Sequence, residues 1–171
     1  MAVDVLVTVG TDHHPFDRLI RWIDSWAGMH PMHPCLVQRG TSIRPETCDS
    51  HEYVAYDDLV ESMFASTVIV THGGPATIME ARAYGRLPVV VPRRPDLGEH
   101  VDDHQIRFSR WMAGRDQVVL AETEAELHRH LDMAFANPTI TRIDPADPEI
   151  EASVHRFGSL VDGLLERRHR P

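Results

Sequence analysis

The alternation of apolar and polar stretches along the chain predicts a parallel α/β sheet. Short apolar runs rich in valine and isoleucine are typical of strands covered on both faces, and they alternate with segments whose apolar residues recur at helical spacing. The predicted strands are residues 3–9, 35–38, 52–56, 68–71, 88–91 and 117–120. Strand and helix alternate throughout, which favours one parallel sheet with helices on its flanks.

The predicted helices carry recognisable start and stop signals. We expect Asp57 or Asp58 to cap the second helix and Gly85 to end the third. Thr123 and Glu126 have the spacing of a capping box for the fifth. The helices are expected from Pro15 onward, from about 57 to 66, from 75 to 84, from 101 to 113 and from 124 to 136.

We expect two units along the chain. Residues 1–145 form the sheet domain, and residues 137–148 are rich in proline and aspartate, as connectors are. Residues 146–171 form the second unit, a C-terminal amphipathic helix with an apolar stripe. Such a stripe either packs on the parent sheet or docks to a partner, and the pattern allows both.

The segment after the fourth predicted strand indicates an anion-binding site. Residues His72–Gly74 form a glycine turn that leads into a helix beginning at Pro75. Backbone N–H groups point outward at such a helix N-terminus, and the helix dipole favours negative charge there. Thr77 adds a hydroxyl, and Glu80 can accept hydrogen bonds from two neighbouring hydroxyls, such as those of a ribose. The plain alternative is an ordinary strand–helix connection with a solvated glutamate.

A second glycine turn, Gly10-Thr11, follows the first predicted strand. Ligands of parallel sheets bind at the carboxyl ends of the strands. We therefore expect both glycine turns to face one nucleoside diphosphate.

Composition and charge exclude several classes of protein. A chain of 171 residues fits one domain, and its net charge of −9, without a basic stripe, argues against nucleic-acid binding. Cys35 and Cys48 do not make a disulfide framework. With neither a signal peptide nor a long apolar run, the chain is expected to be cytoplasmic and to reach a membrane only through a partner.

A different interpretation starts from a histidine- and cysteine-rich segment. Its spacing, H-x2-H-x-C-x12-C-x2-H, offers ligands that zinc prefers, and would make this a small zinc-binding domain. The residues concerned are His30, His33, Cys35, Cys48 and His51. Against zinc, Cys35 runs directly into an apolar strand, where a cysteine is commonly a small core residue.

Three paired segments within about residues 3 to 115 together resemble the UDP-sugar-binding domain of GT-B glycosyltransferases of family 28. They are Val7–Thr11 with Phe16–Ile20, His72–Ala81 with Gly85–Pro88, and Val91–Pro92 with Asp102–Gln105. The resemblance implies one half of a GT-B fold, with a Rossmann-like parallel sheet flanked by helices.

The resemblance extends to stand-alone donor-binding subunits of split enzymes. These include the small subunit of the dolichol-pathway UDP-GlcNAc transferase and bacterial exopolysaccharide counterparts, in which a second, membrane-associated chain binds the lipid-linked acceptor. It implies a hexosyltransferase subunit of polysaccharide or glycolipid biosynthesis that is inactive alone and recruited to the cytoplasmic membrane face by its partner. No cofactor or metal is implied, and a homo-oligomer of the isolated chain is left open.

The resemblance also implies roles for matching residues. Those that would hold the donor diphosphate are Gly10, Thr11, Gly73, Gly74 and Thr77, with His72 near the phosphates.

Glu80 would bind the ribose, and Asp103, His104 and Gln105 would contact the donor sugar. Two positions depart from the family pattern. Pro75 removes one N–H donor from the phosphate cradle, and Asp103 stands where relatives commonly have asparagine.

The resemblance does not assign the catalytic base, or the group that stabilises departing UDP, to one residue of this chain. In split enzymes the base is expected on the partner chain, although His13 and His14 are candidates; the alternative is that both are solvated loop residues. Arg93, Arg94 and Arg107 are candidates to offset the charge on UDP.

Two other functions would use a UDP-sugar site of this kind. A nucleotide-sugar epimerase needs both halves of the fold in one chain, so the length of this chain counts against it. A non-catalytic UDP-sugar sensor fits the same residues, and acceptor-dependent turnover would distinguish it from a transferase subunit.

Overall fold

A parallel sheet organises residues 3–144, the part of the chain that the computed structural model describes. Its strands are β1 (Val5–Thr8), β2 (Cys35–Gln38), β3 (Asp49–His51), β4 (Val68–Thr71), β5 (Val89–Val90) and β6 (Val119–Leu120). The α-helices of this part are α1 (Asp17–Met29), α2 (Tyr56–Ala65), α3 (Pro75–Ala83), α4 (His104–Ala113) and α5 (Glu124–Ala136).

The order of the strands creates a crevice at the middle of the sheet. The order is β3-β2-β1-β4-β5-β6, and every neighbouring pair is parallel. Leu6 of β1 aligns with Leu36 of β2 on one side and Ile69 of β4 on the other. Because the chain winds outward in opposite directions from β1 and β4, a ligand crevice is expected outside their carboxyl ends. The two glycine turns follow those two strands.

Both faces of the central strands are buried, as the uninterrupted apolar runs predict. Val5 and Val7 of β1 join a core cluster that includes Trp26 of α1 and Leu127 of α5. Leu6, between them in sequence, lies in a separate cluster with side chains of α2, β4 and α3. Successive strand residues point to opposite faces, so one strand supplies both layers.

Several local predictions are confirmed. Residues 35–38 form β2 as expected. Glu126 N donates to Thr123 Oγ1 at 3.2 Å and Thr123 N donates to Glu126 Oε2 at 3.0 Å, which completes the capping box. Gly85, at φ +73°, follows the last residues of α3 in the left-handed conformation that favours glycine.

The third strand was predicted wrongly at residues 52–56. The strand is Asp49–His51, and α2 already begins at Tyr56. β3 pairs with β2 only and lies at the sheet edge, so its exposed polar residues carry no apolar signal.

Two helix starts also differ from the prediction. Ala55 holds the N-cap position of α2 and its side chain makes no capping bond. Asp57 and Asp58 lie within the first turn, where their charge still favours the positive end of the helix dipole. Helix α4 begins at His104 and not at residue 101, because residues before it form a loop after the short 3-10 turn Pro95–Leu97.

The predicted C-terminal helix, in the unit 146–171, lies outside the described residues. Within residues 3–144, no helix combines the length and the apolar character that crossing a bilayer requires.

Candidate functional site

A cavity of about 290 Å³ opens at the crevice between β1 and β4. It contains six of the ten contact residues predicted from the sequence: Gly10, Thr11, His72, Gly74, Thr77 and Glu80. The other lining residues are Thr8, Gln38, Leu59, Pro75 and Ala76. The structure therefore brings both glycine turns to one cavity, as the parallel arrangement predicted.

The imidazole of His72 lies between the two glycine turns. A Cβ atom at Gly10 would lie 2.5 Å from His72 Cε1, and one at Gly74 would lie 2.2 Å from His72 Nε2. Gly10 also has φ +76°, a conformation that other residues rarely adopt. Both positions need glycine because both backbone segments contact the same ring.

The environment of His72 keeps its ring neutral. The residue is 8% exposed, and its Nδ1 lies 3.3 Å from Thr71 Oγ1. Burial, with a smaller contribution from the positive charge of Arg93, lowers the pKa of His72 to about 4. Near pH 7 the ring can exchange hydrogen bonds at the cavity, but it brings no charge.

The N-terminus of α3 faces the cavity without a side-chain cap. Gly74 occupies the N-cap position and Pro75 the first helical turn. The first amides of a helix have no partner within the helix, and glycine cannot supply one. The amides of Ala76 and Thr77, both of which line the cavity, are therefore the natural donors for an anion there.

The other glycine turn offers fewer free donors than the sequence suggested. The amide of Gly10 donates to Thr8 Oγ1 at 3.3 Å, and Gln38 Nε2 donates to the same hydroxyl at 3.1 Å. Gln38 Oε1 in turn accepts from Val54 N at 3.1 Å. Thr8 and Gln38 thus fix the shape of this turn. Neither residue was predicted to belong to the site, since each has the pattern of an ordinary strand residue.

Gly73 has a different role from Gly74. A Cβ atom at Gly73 would lie 2.7 Å from Ser109 Oγ and 3.0 Å from the carbonyl oxygen of Gln105. This glycine lets the turn after β4 approach α4 closely, and it is not among the residues that line the cavity.

Glu80, on α3, has a neighbour that the sequence did not reveal. The hydroxyl of Tyr56, the first residue of α2, lies close to Tyr84 and Glu80, and these neighbours raise the pKa of the hydroxyl. Residues 56 and 80 belong to different helices, so no local pattern could have paired them. The tyrosine hydroxyl thus lies beside the carboxylate that the resemblance assigns to a ribose.

The three predicted sugar contacts lie away from this cavity. Gln105 is 3% exposed, and its side-chain oxygen accepts from Arg93 N at 3.4 Å. Asp103 pairs with Arg107 at 3.1 Å, and His104 Nδ1 pairs with Asp102 Oδ1. Their contact with a donor sugar stays a prediction.

The buried side chain of Arg93 connects two loops by hydrogen bonds and does not line the cavity. Its guanidinium donates to the carbonyl oxygens of Val9 at 2.8 Å, His14 at 2.7 Å and Glu99 at 3.0 Å. The loop after β1 is thereby fixed to the loop after β5. Arg94 and Arg107, the other candidates for UDP charge, are exposed and paired with Asp96 and Asp103.

A second cavity, of about 490 Å³, is lined by arginines and acids. Four of its arginines have acidic partners: Arg18 with Glu99, Arg94 with Asp96, Arg107 with Asp103 and Arg110 with Glu122. The Arg18 pair is bidentate, with both N–O distances 2.8 Å. The charges in this cavity are largely balanced.

The two candidate bases lie in the loop after β1. The side chain of His13 is 84% exposed, whereas His14 Nδ1 lies 2.6 Å from Asp12 Oδ1. Burial alone would raise the pKa of Asp12, but hydrogen bonds from His14 outweigh it and bring the value to about 2. A base role for either histidine stays a prediction.

The five residues of the zinc pattern do not converge. No three of them place ligand atoms within 4.8 Å of one another. His30 Nδ1 pairs with Trp26 O at 2.8 Å, and His33 Nδ1 with Asp4 Oδ2 at 2.9 Å. Contact with Cys35, together with burial, raises the pKa of the Cys48 thiol. The two cysteines are core residues here.

Comparison with known proteins decides the family. The model of the glycosyltransferase family 28 C-terminal domain matches residues 5–146. The chain belongs to this family. No curated protein matches this family 28 domain closely enough to count as a relative.

Solved glycosyltransferases share the fold of this family 28 domain. MurG of Acinetobacter baumannii superposes with a TM-score of 0.55 at 16% identity, over 82% of this chain and 43% of that one. The spinosyn forosaminyltransferase SpnP gives 0.61 at 22% identity, over 95% and 44%. The calicheamicin glycosyltransferase CalG4 gives 0.59 at 14% identity, over 99% and 45%. The chain thus spans less than half the length of these enzymes and matches one half of the GT-B fold.

Proposed function

We propose that this family 28 domain binds a UDP-sugar and serves as the donor-binding subunit of a two-chain glycosyltransferase. The observation that carries the proposal is the convergence of two glycine turns on one cavity at the crevice of the sheet. The family match supports a donor-binding role. The two-chain arrangement follows the resemblance to split enzymes.

The donor is oriented by two groups on α3. Its diphosphate lies at the first turn of the helix, where the amides of Ala76 and Thr77 and the Thr77 hydroxyl donate to the phosphate oxygens. Its ribose hydroxyls donate to Glu80, whose carboxylate lies beside the Tyr56 hydroxyl. Thr77 and Glu80 lie about one helical turn apart on α3. The diphosphate and the ribose of one nucleotide are separated by a similar distance.

Transfer passes the sugar from UDP to an acceptor hydroxyl. Backbone amides and the dipole of α3 offset the charge that grows on the departing UDP, so this step needs no metal. The neutral ring of His72 adds a hydrogen-bonding group beside the same phosphates. The general base and the acceptor belong to the partner chain, which is membrane-associated and recruits this domain to the cytoplasmic face.

Calorimetric titration of UDP tests the site directly. Replacing Glu80 by alanine should raise the Kd by about 10- to 150-fold, since a hydrogen bond to a charged group contributes about 1.5–3 kcal/mol. The loss should be smaller for 2′-deoxy-UDP, which lacks one of the hydroxyls concerned. Glu61→Ala, at an exposed position on α2, is the matched control and should bind as the unchanged chain does.

Equal affinities of Glu80→Ala and Glu61→Ala for UDP would contradict the ribose assignment. Parallel titrations with UDP-GlcNAc, UDP-glucose and UDP-glucuronate identify the sugar. Turnover that requires both an acceptor and a membrane-associated second chain separates a transferase subunit from a non-catalytic sensor.

A further inference from the structure

Two cysteines are buried where strands β2 and β3 begin. Cys35 is the first residue of β2, and Cys48 comes directly before β3. They are 7% and 8% exposed, and both carry free thiols. Neither lines the glycine-lined cavity or the arginine-lined cavity, and the proposed sugar transfer makes no use of them.

The pairing of the two strands places these cysteines beside each other. Leu36 of β2 aligns with Asp49 of β3 in parallel register, so Cys35 and Cys48, one residue earlier in each segment, are neighbours as well. Neighbouring strands lie about 4.7–4.9 Å apart, and a disulfide joins Cα atoms that are about 4.4–6.8 Å apart. The backbone therefore has the spacing that a disulfide requires.

The two side chains also point into the same part of the core. Cys35 and Cys48 belong to the cluster that contains Trp26 and Ala27 of α1. The Cys48 thiol lies close to Cys35, and this contact, together with burial, raises the pKa of the thiol. A disulfide needs two sulfur atoms on one face of the sheet and in contact, and this pair meets both conditions.

Hydrogen bonds hold the backbone on both sides of the pair. Cys35 aligns with Val5 in the ladder between β2 and β1. The carboxylate of Asp24, on α1, accepts from the amides of Thr47 at 2.7 Å and Cys48 at 3.3 Å. Bond formation therefore needs rotation of the two side chains, with little movement of the main chain.

A small reagent can reach the pair through the edge of the sheet. β3 is the edge strand, with β2 as its neighbour, and Glu46, Thr47 and Asp49 beside Cys48 are exposed. Segments with few buried apolar contacts open at a lower free energy than core strands do. Because buried, protonated thiols are inert in the closed state, this local opening sets the rate of their reaction.

We propose that Cys35 and Cys48 form one reversible disulfide by exchange with a low-molecular-weight disulfide such as oxidised glutathione. The thiolate of one cysteine attacks a sulfur of the small disulfide, whose S–S bond breaks and releases one thiol. The second cysteine attacks the mixed disulfide, forms the internal S–S bond and releases the other thiol. The two released thiols take up the two electrons and two protons that the protein loses. The proposal does not depend on UDP binding.

The bond is a redox-dependent crosslink of the sheet edge. In a reducing compartment the pair stays as thiols, and disulfides that do form there are commonly redox-sensing. Under oxidising conditions the bond closes residues 35–48 into a loop and fastens β3 to β2. This loop contacts the segment after β1, since Ser42 Oγ accepts from Phe16 N at 2.7 Å and Thr41 Oγ1 donates to His13 O at 2.9 Å. Oxidation therefore stabilises the domain.

Equilibration of the reduced, folded chain with glutathione buffers of defined composition tests the proposal. In the oxidising buffer we expect the intact mass to fall by two hydrogen atoms, both free thiols to disappear, and a peptide that links residues 35 and 48 to form. The oxidised chain should unfold at a temperature about 5–10 °C higher, because closing this loop restricts the unfolded chain. Dithiothreitol should reverse all of these changes.

Hydrogen exchange locates the effect at the edge of the sheet. The amides of Arg39 and Gly40 donate to the carbonyl oxygens of His51 and Glu52. These amides should exchange more slowly in the oxidised chain. Cys35→Ala and Cys48→Ala are the controls, and in the oxidising buffer neither should gain an internal bond or a higher unfolding temperature.

Several outcomes would overturn the proposal. They are two free thiols on the folded chain in oxidising buffer, glutathione that stays attached to one cysteine, and disulfide-linked dimers in place of the internal bond. An internal bond that leaves the unfolding temperature unchanged or lower would also overturn it. All four are measured on the chain with both cysteines, so they stand even where an alanine variant fails to fold.

Discussion

The two cavities at the carboxyl edge differ in what they offer an anion. The cavity of about 290 Å³ contains glycines, small hydroxyl residues and the start of a helix, and it has no arginine in its lining. The cavity of about 490 Å³ has four arginines, each paired with a carboxylate. By charge alone, the second would be chosen as the phosphate site.

We infer from this difference that the availability of donors matters more for anion binding than the number of cations nearby. A guanidinium already bound to a carboxylate must exchange one anion for another, which gains little free energy. An uncapped helix start exchanges only water for phosphate, and its dipole adds to the gain. We therefore propose that UDP binds in the cavity without arginines.

The largest expected effect concerns Arg93, whose side chain joins the loops of the two cavities. Arg93→Met leaves three carbonyl oxygens without their donor, two of them in buried hydrogen bonds, and we expect it to lower the free energy of unfolding by about 3–5 kcal/mol. Arg94→Met is the matched control, since that side chain is exposed, and should change stability little. Denaturant unfolding measures the stability of both variants. Comparable losses of stability in the two variants would mean that the hydrogen bonds of Arg93 do not stabilise the fold.

His72, beneath the glycine-lined cavity, makes stability depend on pH. Its pKa is about 4 in the folded chain, against about 6.5 when unfolded, so the unfolded state gains a proton first as the pH falls. Between pH 6.5 and pH 4 this should remove about 3 kcal/mol of stability, and nothing above pH 6.5.

The control for this pH effect is His72→Gln, which carries no titrating group at this position. The slope of unfolding free energy against pH should become shallower in this variant over the same interval. An unchanged slope would assign the pH dependence to other histidines and not to His72.

Gly74→Ala should weaken UDP binding by about 10- to 150-fold, because the new methyl group must displace the His72 ring and with it the start of α3. Gly28→Ala is the matched control. The nearest atom to its new methyl group is Thr47 Oγ1 at 3.7 Å, so it should leave UDP binding unchanged. Calorimetry with UDP distinguishes the two, and normal binding by Gly74→Ala would remove this turn from the site.

The smallest effect is expected in the arginine-lined cavity. Arg107→Gln removes a guanidinium that is already paired with Asp103, so the Kd for UDP should change less than about twofold. A large loss of affinity in the same calorimetric assay would move the nucleotide to the second cavity.

Elements with strong local signals could be predicted from the sequence. The buried strands β1, β2 and β4, the capping box of α5 and the meeting of two glycine turns all follow from periodicity and from the rules of parallel sheets. The edge strand β3 was missed because strand pairing at an edge needs no apolar pattern. Six of the eleven residues that line the glycine-lined cavity were predicted from the sequence.

The remaining features depend on contacts between distant parts of the chain. Arg93 looked like a ligand for UDP, yet its partners are carbonyl oxygens of Val9, His14 and Glu99, which no spacing reveals. Tyr56 reaches Glu80 from another helix. Such pairings arise from tertiary packing, so only the folded structure could show them.

A crystal structure of the chain with bound UDP tests the central claim most directly. We predict phosphate oxygens at about 2.7–3.2 Å from the amides of Ala76 or Thr77, with the ribose hydroxyls at Glu80. UDP seated among Arg94, Arg107 and Arg110, with the glycine-lined cavity empty, would contradict the account.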